Sequence, residues 1–291
     1  MHTQTMALRD PAWHNTQYDN RARVPEAATV LLPRWAEASA LSRSRMNCLL
    51  DEPYGGAPGE TLDVFPAQEP GSPVLVFIHG GWWRALDKSD HSFVAPAFVQ
   101  AGAMVVVPNY SLCPAVTIEQ IALQTTHALA WVWRNAPRFG GARSRIMVAG
   151  HSAGGHLAAM LLACRWKTVA ADLPQRLVRS AMAISGLFDL EPVRQTPFLA
   201  ADLQLTPAAV RRLSPAFFPR PPGPLAALVG GLESEEFIRQ NQLIRDQWGP
   251  STVPVCEALP GLNHFTVLHD LVDPAGRAHQ HALRMLGLAA G

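Results

Sequence analysis

The chain has 291 residues, of which 48% are hydrophobic and 16% are charged. This composition is sufficient for a large apolar core and excludes an intrinsically disordered chain. The 24 Lys and Arg residues almost cancel the 23 Asp and Glu residues, and no polybasic segment is present, so we expect neither a nucleic-acid partner nor a membrane partner.

The first 45 residues are predicted to form an N-terminal arm that contributes to a lid. They contain no apolar segment of the kind found in secretory signals, which favours a cytoplasmic location. A helix is expected over residues 26–41, where Pro33 kinks it or marks its start. Residues 51–60 are rich in Gly and Pro and are predicted to form a turn.

From residue 46 to residue 291, strands and helices are predicted to alternate in a single domain. The alternation implies right-handed crossovers and a mostly parallel central sheet with helices on both faces. Residues 187–224 interrupt it with a segment rich in Pro, Phe and Leu, which we interpret as a small lid. The predicted strands are 61–65, 74–78, 103–107, 145–149, 180–185, 225–229 and 253–257, and the predicted helices are 89–101, 117–135, 154–165, 235–248 and 275–286.

The central motif is the G-x-S-x-G pentapeptide of residues 150–154, Gly-His-Ser-Ala-Gly. A predicted strand runs directly into it and a predicted helix follows, which is the setting of a nucleophile elbow. The flanking Gly150 and Gly154 leave room for a sharp turn in which side chains would collide. Ser152 is therefore predicted to project from the carboxyl end of the sheet as a catalytic nucleophile.

A second motif, His-Gly-Gly-Trp-Trp, occupies residues 79–83 directly after the strand over 74–78. A glycine pair allows backbone N–H groups to face a ligand. With the N–H of Ala153, the N–H groups of Gly80 and Gly81 are predicted to hold the oxygen of a tetrahedral intermediate.

The base and the acid are chosen by their positions after the last strands. His264 follows the strand over 253–257 and is the predicted base, with His269 as the second choice. Glu233 lies on the loop after the strand over 225–229 and is the predicted acid, with Asp189 as the fallback. The nearby acidic residues 235 and 236 fall in the first turn of a helix, where the helix dipole explains them.

Aromatic side chains near these motifs suggest an aromatic or medium-length apolar substrate. Trp82, Trp83, Tyr110 and Phe198 are the predicted substrate contacts. No metal-binding spacing, Cys-x-x-Cys pair, Gly-x-Gly-x-x-Gly motif or phosphate-binding loop is present, so no metal and no cofactor are expected.

These motifs together resemble the hormone-sensitive-lipase-like branch of the α/β hydrolases, and within it the kynurenine formamidases (arylformamidases) and related bacterial esterases. Residues 231–240 resemble the acid loop of that family, 263–265 its histidine loop and 18–21 its N-terminal arm. The resemblance implies the α/β-hydrolase fold. The family has Asp where this chain has Glu233.

Three hypotheses for the function follow. The first is a serine carboxylesterase that cleaves small or aromatic esters through an acyl-enzyme. The second is an arylformamidase that acts on N-formyl-kynurenine or a similar amide. The third is a non-catalytic, ligand-binding member of the same fold, since a fold by itself does not determine function. The expected partner is a small-molecule ester or amide, and a homodimer is also considered.

Overall fold

A computed structural model describes residues 10–288 of the chain. Within these residues, eight strands form one sheet. The strands are β1 (Leu49–Pro53), β2 (Thr61–Phe65), β3 (Ser72–Ile78), β4 (Met104–Pro108), β5 (Gly141–His151), β6 (Val178–Ile184), β7 (Leu225–Gly230) and β8 (Val255–Leu259). They are arranged in the order β1-β2-β4-β3-β5-β6-β7-β8. Strand β2 is antiparallel to both of its neighbours, and all the other pairs are parallel.

Helices cover both faces of this sheet. The helices are α1 (Pro11–Tyr18), α2 (Asn20–Arg23), α3 (Leu32–Arg45), α4 (Ala95–Gln100), α5 (Ile118–Asn135), α6 (Ala153–Leu162), α7 (Trp166–Val169), α8 (Glu191–Arg194), α9 (Pro197–Leu203), α10 (Pro207–Leu213), α11 (Glu235–Trp248), α12 (Val267–Val272) and α13 (Arg277–Leu286). Helices α5, α6 and α11 pack on one face, and α3, α4, α12 and α13 pack on the other. This is the predicted α/β-hydrolase architecture.

The two hydrophobic cores result from the alternation of side chains along each strand. In β3, Val74, Val76 and Ile78 face the α5 and α6 side, whereas Leu75 and Phe77 face the α3 and α4 side. All five side chains are fully buried, as expected for a central parallel strand that is covered on both faces. The short apolar run that predicted β3 is therefore explained by its central position.

The prediction of one helix over residues 89–101 is only partly correct. The segment contains two short 3-10 turns, Lys88–Asp90 and Ser92–Val94, before α4 begins at Ala95. The Asp87 side chain caps the first turn by accepting from the N–H of Ser89. Pro96 lies in the first turn of α4, the place in a helix where the missing N–H of proline is tolerated.

The predictions for the N-terminal region also need two corrections. The helix expected over 26–41 is a short π-helical segment, Ala27–Leu31, followed by α3, which continues to residue 45; Pro33 lies at its start. Part of the turn expected over 51–60 belongs to the edge strand β1, which pairs with β2 through an irregular register around Asp51. The sequence of β1, Leu-Leu-Asp-Glu-Pro, has no alternation of apolar and polar residues from which to predict a strand.

The insertion over residues 187–224 contains α8, α9 and α10 and a 3-10 turn, Pro215–Phe217. The arm packs against it, because α1 contacts both α8 and α9; α1 also contacts α11, outside the insertion. Within residues 10–288, no helix is both long enough and apolar enough to cross a lipid bilayer.

Candidate active site

Ser152 occupies the sharp bend between β5 and α6. Its backbone dihedrals are φ 57° and ψ −118°, a conformation that L-residues rarely adopt and that stores local strain. The N–H of Ser152 donates to the carbonyl oxygen of Ile184 at 2.8 Å, which ties the bend to the end of β6. Within residues 10–288, the Ser152 hydroxyl has no hydrogen-bond partner, so it is available to a ligand.

The glycines on either side of Ser152 are required by close backbone approach. A Cβ at Gly150 would lie 2.1 Å from the carbonyl oxygen of Gly154, and a Cβ at Gly154 would lie 2.0 Å from that of Ile78. Neither distance is tolerable for a side chain. The pentapeptide thus supplies the room that the bend needs, for the reason expected from the sequence.

His264 and Glu233 meet at the carboxyl ends of β7 and β8. The Nδ1 atom of His264 lies 2.6 Å from Oε2 of Glu233, and both side chains are almost completely buried. This contact fixes the ring orientation and keeps a proton on Nδ1, which leaves Nε2 as the proton acceptor. His264 and Ser152 line the same cavity.

The second carboxylate oxygen of Glu233 is held by two donors. Oε1 accepts from the hydroxyl of Ser185 at 2.5 Å and from the N–H of Gly230 at 2.7 Å. The carboxylate is therefore fixed at both ends, by His264 on one side and by the ends of β6 and β7 on the other. Ser185 was not predicted as a site residue; its position at the end of the strand predicted over 180–185 was the only sequence signal.

The alternative acids and the alternative base lie elsewhere. Asp189 accepts from the N–H of Glu191, and one of its oxygens lies 3.8 Å from a guanidinium nitrogen of Arg239. Burial raises the pKa of Asp189. Glu236 binds the same Arg239. His269 is exposed on α12 and does not line the cavity of Ser152.

His151, the residue before Ser152, contacts the backbone of His264. Its Nε2 donates to the backbone carbonyl of His264 at 2.7 Å. Burial lowers the pKa of His151 well below its usual range, and the adjacent His264 lowers it further, so the ring is neutral. A neutral neighbour adds no positive charge to compete with a protonated His264.

The glycine loop after β3 lies directly against the bend. A Cβ at Gly80 would lie 2.8 Å from the carbonyl oxygen of His151 and 3.1 Å from Cβ of Ser152. Gly81 has φ 102°, and a Cβ there would lie 2.0 Å from the carbonyl oxygen of Ala85. Ala153 is the first residue of α6, so its N–H has no acceptor within the helix.

Tyr110 contacts this loop through both its hydroxyl group and its ring. Its hydroxyl lies 3.0 Å from the carbonyl oxygen of His79 and 3.3 Å from that of Gly80, and its ring stacks on His79 at a centroid distance of 4.2 Å. Burial raises the pKa of Tyr110 well above its usual range, so the hydroxyl remains a donor. The other side of His79 is bound to Asn109, whose Oδ1 lies 3.1 Å from Nε2.

A cavity of about 740 Å³ opens at Ser152, a size typical of small-molecule sites. Trp82 and Phe198 line it, as predicted for substrate contacts. The prediction for Trp83 and Tyr110 is not supported, because neither lines the cavity and both are buried in the core. Trp83 packs edge-on against His156, with ring centroids 5.1 Å apart.

The remaining walls of the cavity come largely from residues that were not among the predicted substrate contacts. The arm contributes Asn20, Arg21, Leu32 and Trp35, and the ion pair of Arg84 with Asp202 also lines the cavity. These residues meet only because the arm folds over the carboxyl edge of the sheet. Among residues 10–288, no group of three His, Cys, Asp or Glu side chains is arranged to hold a metal ion.

The chain is similar in sequence to both formamidases and esterases. A family model described as BD-FAE matches residues 62–187. A kynurenine formamidase from Danio rerio is 30% identical over 255 residues, covering 84% of each chain. Esterase LipC from Mycobacterium tuberculosis is 31% identical over 140 residues, covering 46% of this chain and 35% of the esterase. The crystal structure of a candidate thioesterase from Silicibacter sp. TM1040 is 29% identical with a TM-score of 0.79, covering 91% of this chain and 96% of that chain.

Proposed function

Because the chain belongs to the α/β-hydrolase family of the kynurenine formamidases, and is a hydrolase of carboxylic esters or aryl formamides, we propose that Ser152, His264 and Glu233 carry out its reaction. The observation that carries this proposal is the 2.6 Å contact between His264 and Glu233 beside the cavity that the strained Ser152 also lines. A serine, an oriented imidazole and a buried carboxylate form the machinery of acyl transfer.

In the first half of the reaction, Ser152 attacks the acyl carbon and His264 takes its proton. Glu233 holds the imidazole tautomer and stabilises the imidazolium that forms. The N–H groups of Gly80, Gly81 and Ala153 bind the oxyanion, and the positive end of α6 adds to their effect. His264 then protonates the leaving alcohol or amine, and water hydrolyses the acyl-enzyme in the second half.

The substrate we propose has a small acyl group and an aromatic leaving group. The aromatic side chains of Trp35, Trp82, Phe198 and Phe265 around the cavity support this choice. Formamides are favoured over longer acyl esters, because the likeness to a kynurenine formamidase extends over 84% of both chains. The arm and the insertion would act as the lid. A cytoplasmic location and a homodimer remain predictions from the sequence.

A substrate panel with purified protein tests this specificity. We expect kcat/KM for N-formyl-kynurenine to exceed that for p-nitrophenyl butyrate, and p-nitrophenyl acetate to be a better substrate than the butyrate. Absorbance measures the p-nitrophenol released from the esters and the free arylamine released from the formamide. Cleavage of the esters without any cleavage of the formamide would instead identify the protein as a carboxylesterase.

The Tyr110→Phe substitution tests the support of the glycine loop. Loss of the hydroxyl removes the donor that faces the carbonyl oxygens of His79 and Gly80. We expect kcat to fall about tenfold with little change in KM, since a misplaced oxyanion donor weakens transition-state binding more than substrate binding. Steady-state kinetics measure both constants. The matched control is Tyr54→Phe, whose hydroxyl donates to the carbonyl of Asn109 outside the loop; an equal loss of kcat in the control would contradict the assignment.

A further inference from the structure

Asn20 is a buried polar residue of the arm that lines the same cavity as the candidate catalytic base, His264. It is 6% exposed and lines the cavity of Ser152. It also lines a side chamber of about 180 Å³, whose walls include Glu233 and His264. Asn20 therefore lies where the main cavity and the side chamber meet, on the His264 side of the site.

The side-chain amide of Asn20 has an unused donor. Its Nδ2 atom is buried and has no hydrogen-bond acceptor within residues 10–288. A buried donor without a partner is unfavourable, and such groups are rare in folded proteins. Because Asn20 lines the cavity, a ligand there supplies the missing acceptor once the side-chain amide turns toward it.

Holding the arm in place does not account for Asn20. The arm is attached by other side chains: Asn15 accepts from the N–H of Phe198, Gln17 accepts from the N–H of Glu236, and the hydroxyl of Tyr18 donates to the Glu236 carboxylate at 2.8 Å. The side chain of Asn20 makes no such bond in the described part of the chain. Its position in the cavity is thus not a by-product of docking.

The position of His264 indicates which part of a substrate Asn20 would meet. The oxyanion glycines are placed to bind the carbonyl oxygen, whereas the base delivers its proton to the leaving group. A donor beside the base therefore faces the leaving group. We propose that Asn20 is a specificity-determining residue whose Nδ2 donates a hydrogen bond to an acceptor oxygen that the aromatic leaving group carries close to the scissile bond. This inference rests on the proposed function of Ser152 and His264.

We therefore expect the protein to prefer aryl esters or formamides whose leaving group carries a carbonyl oxygen next to the scissile bond. Analogues of the same size that lack this oxygen should be cleaved less efficiently. A site built to bond a polar group discriminates against an analogue that leaves the protein group unpaired. The acyl group, the nucleophile and the oxyanion contacts are the same for both members of such a pair, so only the leaving-group contact differs.

The test compares 2-acetylphenyl acetate with 2-ethylphenyl acetate. Their kcat/KM ratio is measured for the unaltered protein, for Asn20→Leu, which removes the donor with little change in size, and for Asn20→Asp, which replaces the donor by an acceptor. Because intrinsic reactivity is the same for every variant, it cancels when the ratios are compared. We expect the ratio to fall about tenfold in both variants.

Asn15→Ala is the matched control, because it removes an arm contact but not a cavity donor, and we expect it to keep the ratio. An unchanged kcat/KM ratio in both Asn20 variants would overturn the inference. An equal fall of the ratio in Asn15→Ala would also overturn it, because the effect would then come from docking of the arm. Labelling of Ser152 by a fluorophosphonate is measured in parallel. Its absence from the unaltered protein would count against the proposed function, whereas normal labelling with an unchanged ratio counts only against Asn20. If Asn20→Leu fails to fold in a thermal melt, Asn20→Asp decides.

Discussion

Replacement of Ser152 by alanine is expected to lower kcat by about 10⁶-fold, since removal of the nucleophile of a serine hydrolase abolishes the acyl-enzyme route. The loss should appear in kcat rather than in KM, because the cavity and its aromatic walls are unaffected. A small residual rate is expected, because the oxyanion donors can still bind the transition state of direct attack by water. The measurement is turnover of p-nitrophenyl acetate at saturating substrate, together with loss of fluorophosphonate labelling.

The control for this substitution is Ser180→Ala. Ser180 is also a buried serine, but it lies near the amino end of β6, away from the cavity. The Ser152→Ala substitution does not relieve the backbone strain, since alanine has a Cβ like serine and is equally disfavoured at φ 57°. Thermal melting of both variants should remain close to that of the unaltered protein. Retention of near-normal turnover by Ser152→Ala would exclude the mechanism.

Glu233→Gln is expected to lower kcat by about 10⁴-fold, an effect that follows from tautomer selection. The N–H of Gly230 needs an acceptor, so the amide oxygen should take the position of Oε1. The amide NH₂ then faces Nδ1 of His264, which must become an acceptor and move its proton to Nε2. A ring protonated on Nε2 cannot remove a proton from Ser152.

Two further variants separate charge from geometry at this position. Glu233→Asp keeps the carboxylate but shortens the side chain by one methylene, so it should lose far less activity than the glutamine variant. Glu235→Gln, in the first turn of α11, should leave kcat unchanged. A large loss in Asp189→Asn, with a mild effect of Glu233→Gln on steady-state turnover, would move the acid role to Asp189.

Much of the fold and of the candidate site is predictable because local sequence and tertiary structure impose the same requirements. The bend at Ser152 needs glycines that no side chain can replace, so its position is evident from residues 150–154. Helix α11 has the predicted bounds because Ser234 accepts from the N–H of Phe237 and so caps it. A capping residue and an apolar face are both local signals.

Other features depend on contacts between distant segments and leave no local trace. Trp83 and Tyr110 follow strands at the expected edge, yet their rings turn into the core, and the choice between core and cavity is made by packing. Ser185 acquires its position beside Glu233 only when the ends of β6 and β7 come together. The strand β1 forms because it pairs with β2, although its own sequence shows no alternation of apolar and polar residues.

The division of the cavity walls between sheet loops and arm has an engineering consequence. The residues proposed to break the bond lie on loops that leave β3, β5, β7 and β8, whereas Asn20 and Trp35 belong to a separate segment that precedes the first strand. Part of the cavity wall therefore lies on a stretch of polypeptide separate from the residues proposed to break the bond. Exchanging the leading segment between relatives offers a route to chimeric catalysts with redirected selectivity and an untouched reaction centre.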